Sequence, residues 1–148
     1  MATYSSPAVT AKNPLAVHGQ RRNQQVARAV VACTAAPSTS DTLNFFNMPA
    51  NAVIIGGYVK SDKMDTNGSP TLTLNIGDAG SAARLLSAST IGQTTGGGSA
   101  LIQLFGALGY KYTAKTMVTG TAQANATTGA AGNVEVCLEY YIEDSVTS

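Results

Sequence analysis

One histidine, two cysteines and eight acids are all that this 148-residue chain offers to acid–base, nucleophilic or metal chemistry. His18 stands between Val17 and Gly19 with no acid close in sequence. Neither a nucleophile–base pair nor a zinc triad therefore has the material it needs. A paired-carboxylate mechanism would draw on Asp41, Asp62, Asp65, Asp78 and the acids near the C-terminus. Asp62, Asp65 and Asp78 converge only if successive turns sit together, and structural roles explain each of them more simply. Asp65-Thr66-Asn67-Gly68 matches the middle of a calcium-binding loop, but the first ligand position falls on Lys63 and the closing glutamate position on Leu74. A hairpin turn is expected there instead. Gly96-Gly97-Gly98 lacks the lysine and following helix of a phosphate-binding loop and reads as a loop tip. Asp78 and Arg84 are spaced to form an ion pair bracing the loop from Gly77 to Gly80. No catalytic, cofactor-binding or metal-ligating residue is assigned, and no cofactor is expected.

The elements that would carry these side chains are mostly short strands. Residues 1–25 contain Pro7 and Pro14, many small polar residues and no sustained periodicity, and they read as an extended N-terminal arm. From residue 26 to 148 the pattern is a single β-domain. Strands are predicted over Val26 to Thr34, Thr42 to Met48, Ala52 to Lys60, Thr71 to Ile76, Ala100 to Phe105, Tyr110 to Ala114, Lys115 to Gln123 and Val134 to Ile142. Phe45 and Phe46 are expected to point to opposite faces. In the third of these strands, Val53, Ile55 and Val59 alternate with Ile54 and Tyr58, so both faces are apolar. That strand is either central or covered on its outer face by another subunit. Ser81 to Ser87, with Leu85 and Leu86, is the one candidate helix. About eight strands and at most one short helix predict an all-β antiparallel sandwich, with a jelly roll as the closure.

Composition narrows the function. Charged residues are 11% of the chain, against roughly 25% in ordinary soluble domains. A neutral, hydroxyl-rich surface does not repel copies of itself and suits a packed assembly. Lys12, Arg21, Arg22 and Arg28 all precede the first acid, Asp41, whereas Glu135, Glu139, Glu143 and Asp144 are the only ionised side chains after Lys115. Either the two ends meet within one subunit or the basic arm reaches an acidic neighbour. Four scattered cations are too few for a nucleic-acid footprint. No run approaches the roughly 18 apolar residues of a membrane span, and no basic start followed by an apolar stretch announces a secretory signal. The glycosylation patterns at Asn67 and Asn125 are accordingly read as chance. Alternation puts Cys33 on an inward face and Cys137 on an outward one, which predicts free thiols and a reducing compartment.

The stretch DTNGSPTLTLNIGDAGSAAR, Asp65 to Arg84, resembles the small virion structural proteins of tailed bacteriophages, among them head decoration, or cement, proteins. Met48 to Ile55, Gly109 to Tyr112 and Val134 to Ile142 are similar as well, so the resemblance covers roughly residues 43 to 143. It implies a sandwich or jelly-roll body, assembled as a trimer, that clamps neighbouring subunits of the major capsid protein, sometimes through an N-terminal arm. It further implies a virion location on the capsid surface after assembly in the host cytoplasm. Contact residues would then be Tyr4, Lys12, Leu15, Arg21 and Arg22 in the arm, with Ile54 and Tyr58 at an inter-subunit face. Two other readings stand beside it: another virion component (a head-fibre base or tail-associated protein) and a jelly-roll module that binds carbohydrate.

Overall fold

A computed structural model describes residues 1–5, 9–12, 24–93 and 100–143. Alternating apolar residues lay out two stacked sheets. On one, Ala27, Ala29, Val31 and Cys33 of β3 (Gln24–Cys33) lie in register with Leu138, Val136, Val134 and Gly132 of β10 (Gly132–Ile142). β10 also pairs with β5 (Ala52–Ser61), and β5 pairs with β8 (Ala100–Gln103). The second sheet is built from β4 (Thr42–Met48), β9 (Thr116–Ala124), β6 (Thr73–Asp78) and β7 (Ser81–Ser89). Their inner rows, including Leu43, Val118, Leu74, Ile76 and Leu85, close the core against the first sheet. Apolar burial of this kind is the main favourable term in the fold.

The body from β3 onward has eight strands, all paired antiparallel; the number is the one the sequence predicts, with β7 standing in for the strand expected at Tyr110 to Ala114. Counted from β3, one sheet runs first–eighth–third–sixth and the other second–seventh–fourth–fifth. Two further strands lie in the segment read as an arm. β1 (Thr3–Ser5) adds to β4 in parallel, and β2 (Val9–Lys12) adds to β3 antiparallel. The chain start is tied down as well, since the Ala2 N–H donates to Asp41 Oδ1 at 2.8 Å and the Thr42 N–H to the Ala2 carbonyl at 3.2 Å.

Several local expectations are corrected. Ser81–Ser89 is a strand and not a helix. Its alanines and leucines favour a helix only weakly, and pairing with β6 overrides that preference. The Asp65–Gly68 turn does not join a hairpin, because β5 and β6 belong to different sheets and residues 62–72 cross between them. Phe45 and Phe46 are both buried, since a bulge between Asn44 and Phe46 inverts the alternation. A second bulge, in β5 opposite Glu139 and Tyr140, turns Ile54 inward together with Val59. Tyr110 to Ala114 forms only an isolated bridge between Lys111 and Val53.

Candidate functional site

The carboxylates considered for chemistry are dispersed and committed. Asp65, fully buried, accepts backbone N–H groups from Asn67, Thr71, Leu72, Thr127 and Thr128 at 2.8–3.3 Å. Burial alone would raise its pKa, but the donors of Thr71, Thr128, Thr127 and Leu72 outweigh it and hold the carboxyl well below its usual range. It therefore locks the loop after β5 to the loop before β10. Asp62 accepts both the backbone and side-chain N–H of Asn133. Asp78 takes the Gly80 and Ser81 N–H groups on Oδ1 and the Arg84 Nε on Oδ2 at 2.6 Å, the brace that the sequence spacing predicts. Among the described residues, no group of three or more His, Cys, Asp or Glu is placed to hold a metal.

The predicted contact residues scatter. Tyr4 and Lys12 lie on β1 and β2, at opposite sheets, and their side chains are outside the described part. Leu15, Arg21, Arg22 and His18 also lie outside the described residues. Ile54 is fully enclosed in the core, so it offers no surface to a neighbour; the β5 bulge is the physical reason. Tyr58 is on the outer face of its sheet, where its hydroxyl donates to Glu135 Oε1 at 2.6 Å. Arg28 Nε donates to the same oxygen at 2.6 Å. The contact with Arg28 holds the Glu135 carboxyl below its usual range and raises the guanidinium further. Here the basic front and acidic rear of the chain do meet within one subunit, because β3 and β10 are neighbours.

Beside this network lies an open cleft of about 350 Å³. Gly56 and Gly57 form part of its lining, and Phe105, Leu108, Gln103, Tyr58, Cys137 and Glu139 are among the other residues that line it. Gly57 has φ +155°, and a Cβ there would stand 2.5 Å from the Cys137 carbonyl oxygen. A Cβ on Gly56 would instead meet the Glu139 carboxylate at 2.9 Å, so the cleft exists because this stretch of β5 carries no side chains. The turn bearing Phe105 and Leu108 is laced to β5 on both sides. Leu104 N–H donates to the Gly57 carbonyl at 3.0 Å, Gly109 N–H to that of Ile54 at 2.8 Å, and Ile54 N–H to that of Tyr110 at 3.0 Å. Gly109 reverses the chain at φ +83°. Phe105 is nevertheless 71% exposed and Leu108 48%. Both cysteines are free. Burial pushes the Cys33 thiol up to about 11 and raises that of Cys137 too, so Cys137 beneath the cleft is a poor nucleophile at neutral pH. The arrangement offers exposed apolar side chains beside one carboxylate. The sequence reading missed the cleft, although paired glycines inside an apolar strand were a usable signal.

No protein-family model and no curated protein matches the chain. Solved structures do. A chain of the Cyanophage Pam1 capsid asymmetric unit matches with a TM-score of 0.75 and 38% identity, over 90% of this chain and 94% of that one. A chain of the capsid of Ralstonia phage GP4 matches with a TM-score of 0.68 and 26% identity, over 91% and 92% respectively.

Proposed function

We propose that this chain, which belongs to a family of phage capsid proteins, is a decoration (cement) protein that binds the outer surface of the expanded head as a symmetric trimer and stabilises it. The observation that carries this reading is the 38% identity, along nine-tenths of this chain, to a chain from a capsid asymmetric unit. The residues that resemble decoration proteins, Asp65 to Arg84, support the finer assignment. They form the crossover and hairpin that stiffen one end of the sandwich. We read the nested strand order as a jelly roll. Its partners are the major capsid protein and two further copies of itself, and it joins the particle in the host cytoplasm.

The physics of such a role requires grip and no active site. A protein that binds only the expanded lattice stabilises that state by mass action. Several weak contacts held on one trimer gain further through effective concentration. Residues 1–25, with Tyr4, Lys12, Leu15, Arg21 and Arg22, are assigned to the contact with the shell or with a neighbouring copy. Removing the whole segment would also strip β1 and β2 from both sheets. Reversing charge at Arg21 and Arg22 is the cleaner perturbation.

Co-sedimentation of the purified protein with expanded and unexpanded shells tests the reading, alongside light scattering for the trimer. Binding to expanded shells alone, and a higher temperature for shell disruption when bound, are expected. A monomer that ignores both shells, or one that binds glycans in their place, overturns it.

A further inference from the structure

The cleft beside Phe105 is a built feature that the fold itself leaves empty. Its walls are held by backbone hydrogen bonds on both sides, so the exposure of Phe105 and Leu108 is not the chance posture of a loose loop. Within this apolar setting sits one carboxylate, Glu139, which reaches over Gly56. Among the described residues no cation pairs with it; Arg28 is engaged by Glu135, Arg84 by Asp78 and Lys111 by Glu143. A purely apolar occupant would strip water from that carboxylate and give nothing back, which is costly. The occupant that fits brings an apolar side chain for Phe105 and Leu108 together with a positive charge for Glu139.

The cleft also borders a free sheet edge. β8 ends its sheet, with β5 on one side and no strand on the other among the described residues. An extended chain can run along such an edge and place one of its side chains in an adjoining cleft. The Tyr58 hydroxyl is committed to Glu135, which leaves the Gln103 amide and the Glu139 carboxylate as the polar side chains of the lining that an occupant can meet.

We propose that this cleft is the seat of an extended segment of the shell protein, one that presents an apolar side chain next to a lysine or arginine. The assignment rests on the decoration reading above and names the surface that does the gripping. Phe105 anchors, Leu108 flanks it and Glu139 selects the basic neighbour.

The test uses expanded shells free of this protein as the probe. Phe105→Ser and Glu139→Lys are each expected to weaken shell binding by about tenfold or more, as central anchors do. Glu139→Gln should weaken it less and flatten its dependence on salt, since the charge it loses is the screened part. Both sites face solvent, so melting temperatures within a few degrees of wild type confirm intact folds. Shell binding unchanged in Phe105→Ser and Glu139→Lys overturns the proposal. Variants that lose self-association in light scattering also overturn it, because the occupant is then a second copy of this chain. Failure of the wild-type protein to bind any shell is a different result, one that removes the decoration reading and this assignment with it.

Discussion

Replacing Asp78 tests whether the β6–β7 hairpin is held by one carboxylate. The side chain of Asp78 is 2% exposed and accepts four hydrogen bonds: Gly80 N–H at 2.9 Å, Ser81 N–H at 3.0 Å, Arg84 Nε at 2.6 Å and Arg84 Nη2 at 3.2 Å. Bonds to a charged group are worth about 1.5–3 kcal/mol each when measured singly, and those sharing a partner do not add. Breaking a buried pair by removing one member costs about 3–5 kcal/mol. Arg84 is not stranded completely, because its side chain is 22% exposed and its guanidinium lies 4.0 Å above the Tyr110 ring. The lower end of the range therefore applies, and Asp78→Ala should cost about 3 kcal/mol. Asp78→Asn keeps an acceptor for the two backbone donors and loses the ion pair, at about 2 kcal/mol. At roughly 2–4 °C per kcal/mol for a chain of this size, the alanine variant should melt about 10 °C lower.

The measurement is a urea and thermal melt followed by far-ultraviolet circular dichroism, with Arg84→Met and the double variant completing a cycle. Coupling between the two sites of about 1–2 kcal/mol is expected. The pH dependence fixes the sign. Burial, the largest single influence, raises the Asp78 pKa, but the bonds from Arg84, Ser81 and Gly80 together lower it more, and the net shift is downward. Its contribution is thus present above the unfolded carboxyl value near 4 and fades as pH falls through the folded value. The difference between wild type and Asp78→Asn should shrink below about pH 4. An asparagine variant within about 0.5 kcal/mol of wild type at pH 7, or a cycle with no coupling, refutes the brace.

Two further outcomes follow from the same packing. Gly57→Ala should destabilise the body by about 3 kcal/mol or more, because the new Cβ lands 2.5 Å from a carbonyl oxygen at φ +155°; a melt that does not move would contradict the strand geometry. Asp65→Asn should lower the melting temperature at pH 7 and flatten its fall below about pH 4. The folded-state pKa of Asp65 is depressed, so its stabilisation is lost only as acid protonates it; an unchanged acid limb would show that the five N–H donors do not favour the charged form.

Strands that face core on one side and solvent on the other were legible from sequence. Val134 to Ile142 and Thr42 to Met48 fall within a residue or two of their observed limits, because period-two burial leaves its own trace. Bulges erase that trace. Each adds one residue and reverses every side chain beyond it, and no local residue type announces the position. Ile54 was assigned to the wrong face for this reason, and for the same reason Phe45 and Phe46 were expected on opposite faces although both are buried. Ser81–Ser89 failed differently, since a strand made of alanine, serine and leucine owes its conformation to the edge it pairs with. The Asp78–Arg84 brace was legible because a carboxylate capping the next two or three N–H groups is a local affair. The cleft was not, because its walls come from β5, β10 and the turn after β8, far apart in the chain.

The brace and the cleft are physically joined, and this links the readable segment to the surface it serves. Arg84, fixed by Asp78, stacks on Tyr110, whose ring meets Tyr112 edge-on at 4.9 Å. The Tyr112 hydroxyl is buried close to Asp78 yet finds no hydrogen-bond partner in good geometry, and burial raises its pKa. Tyr110 in turn accepts the Ile54 N–H and donates its own N–H to Ala107, inside the turn that displays Phe105 and Leu108. A hairpin at the edge of one sheet thus buttresses the exposed corner of the other. Loosening Asp78 should therefore blunt shell binding as well as stability, whereas Phe105→Ser should touch binding alone. The contrast separates a residue that positions the grip from one that makes it.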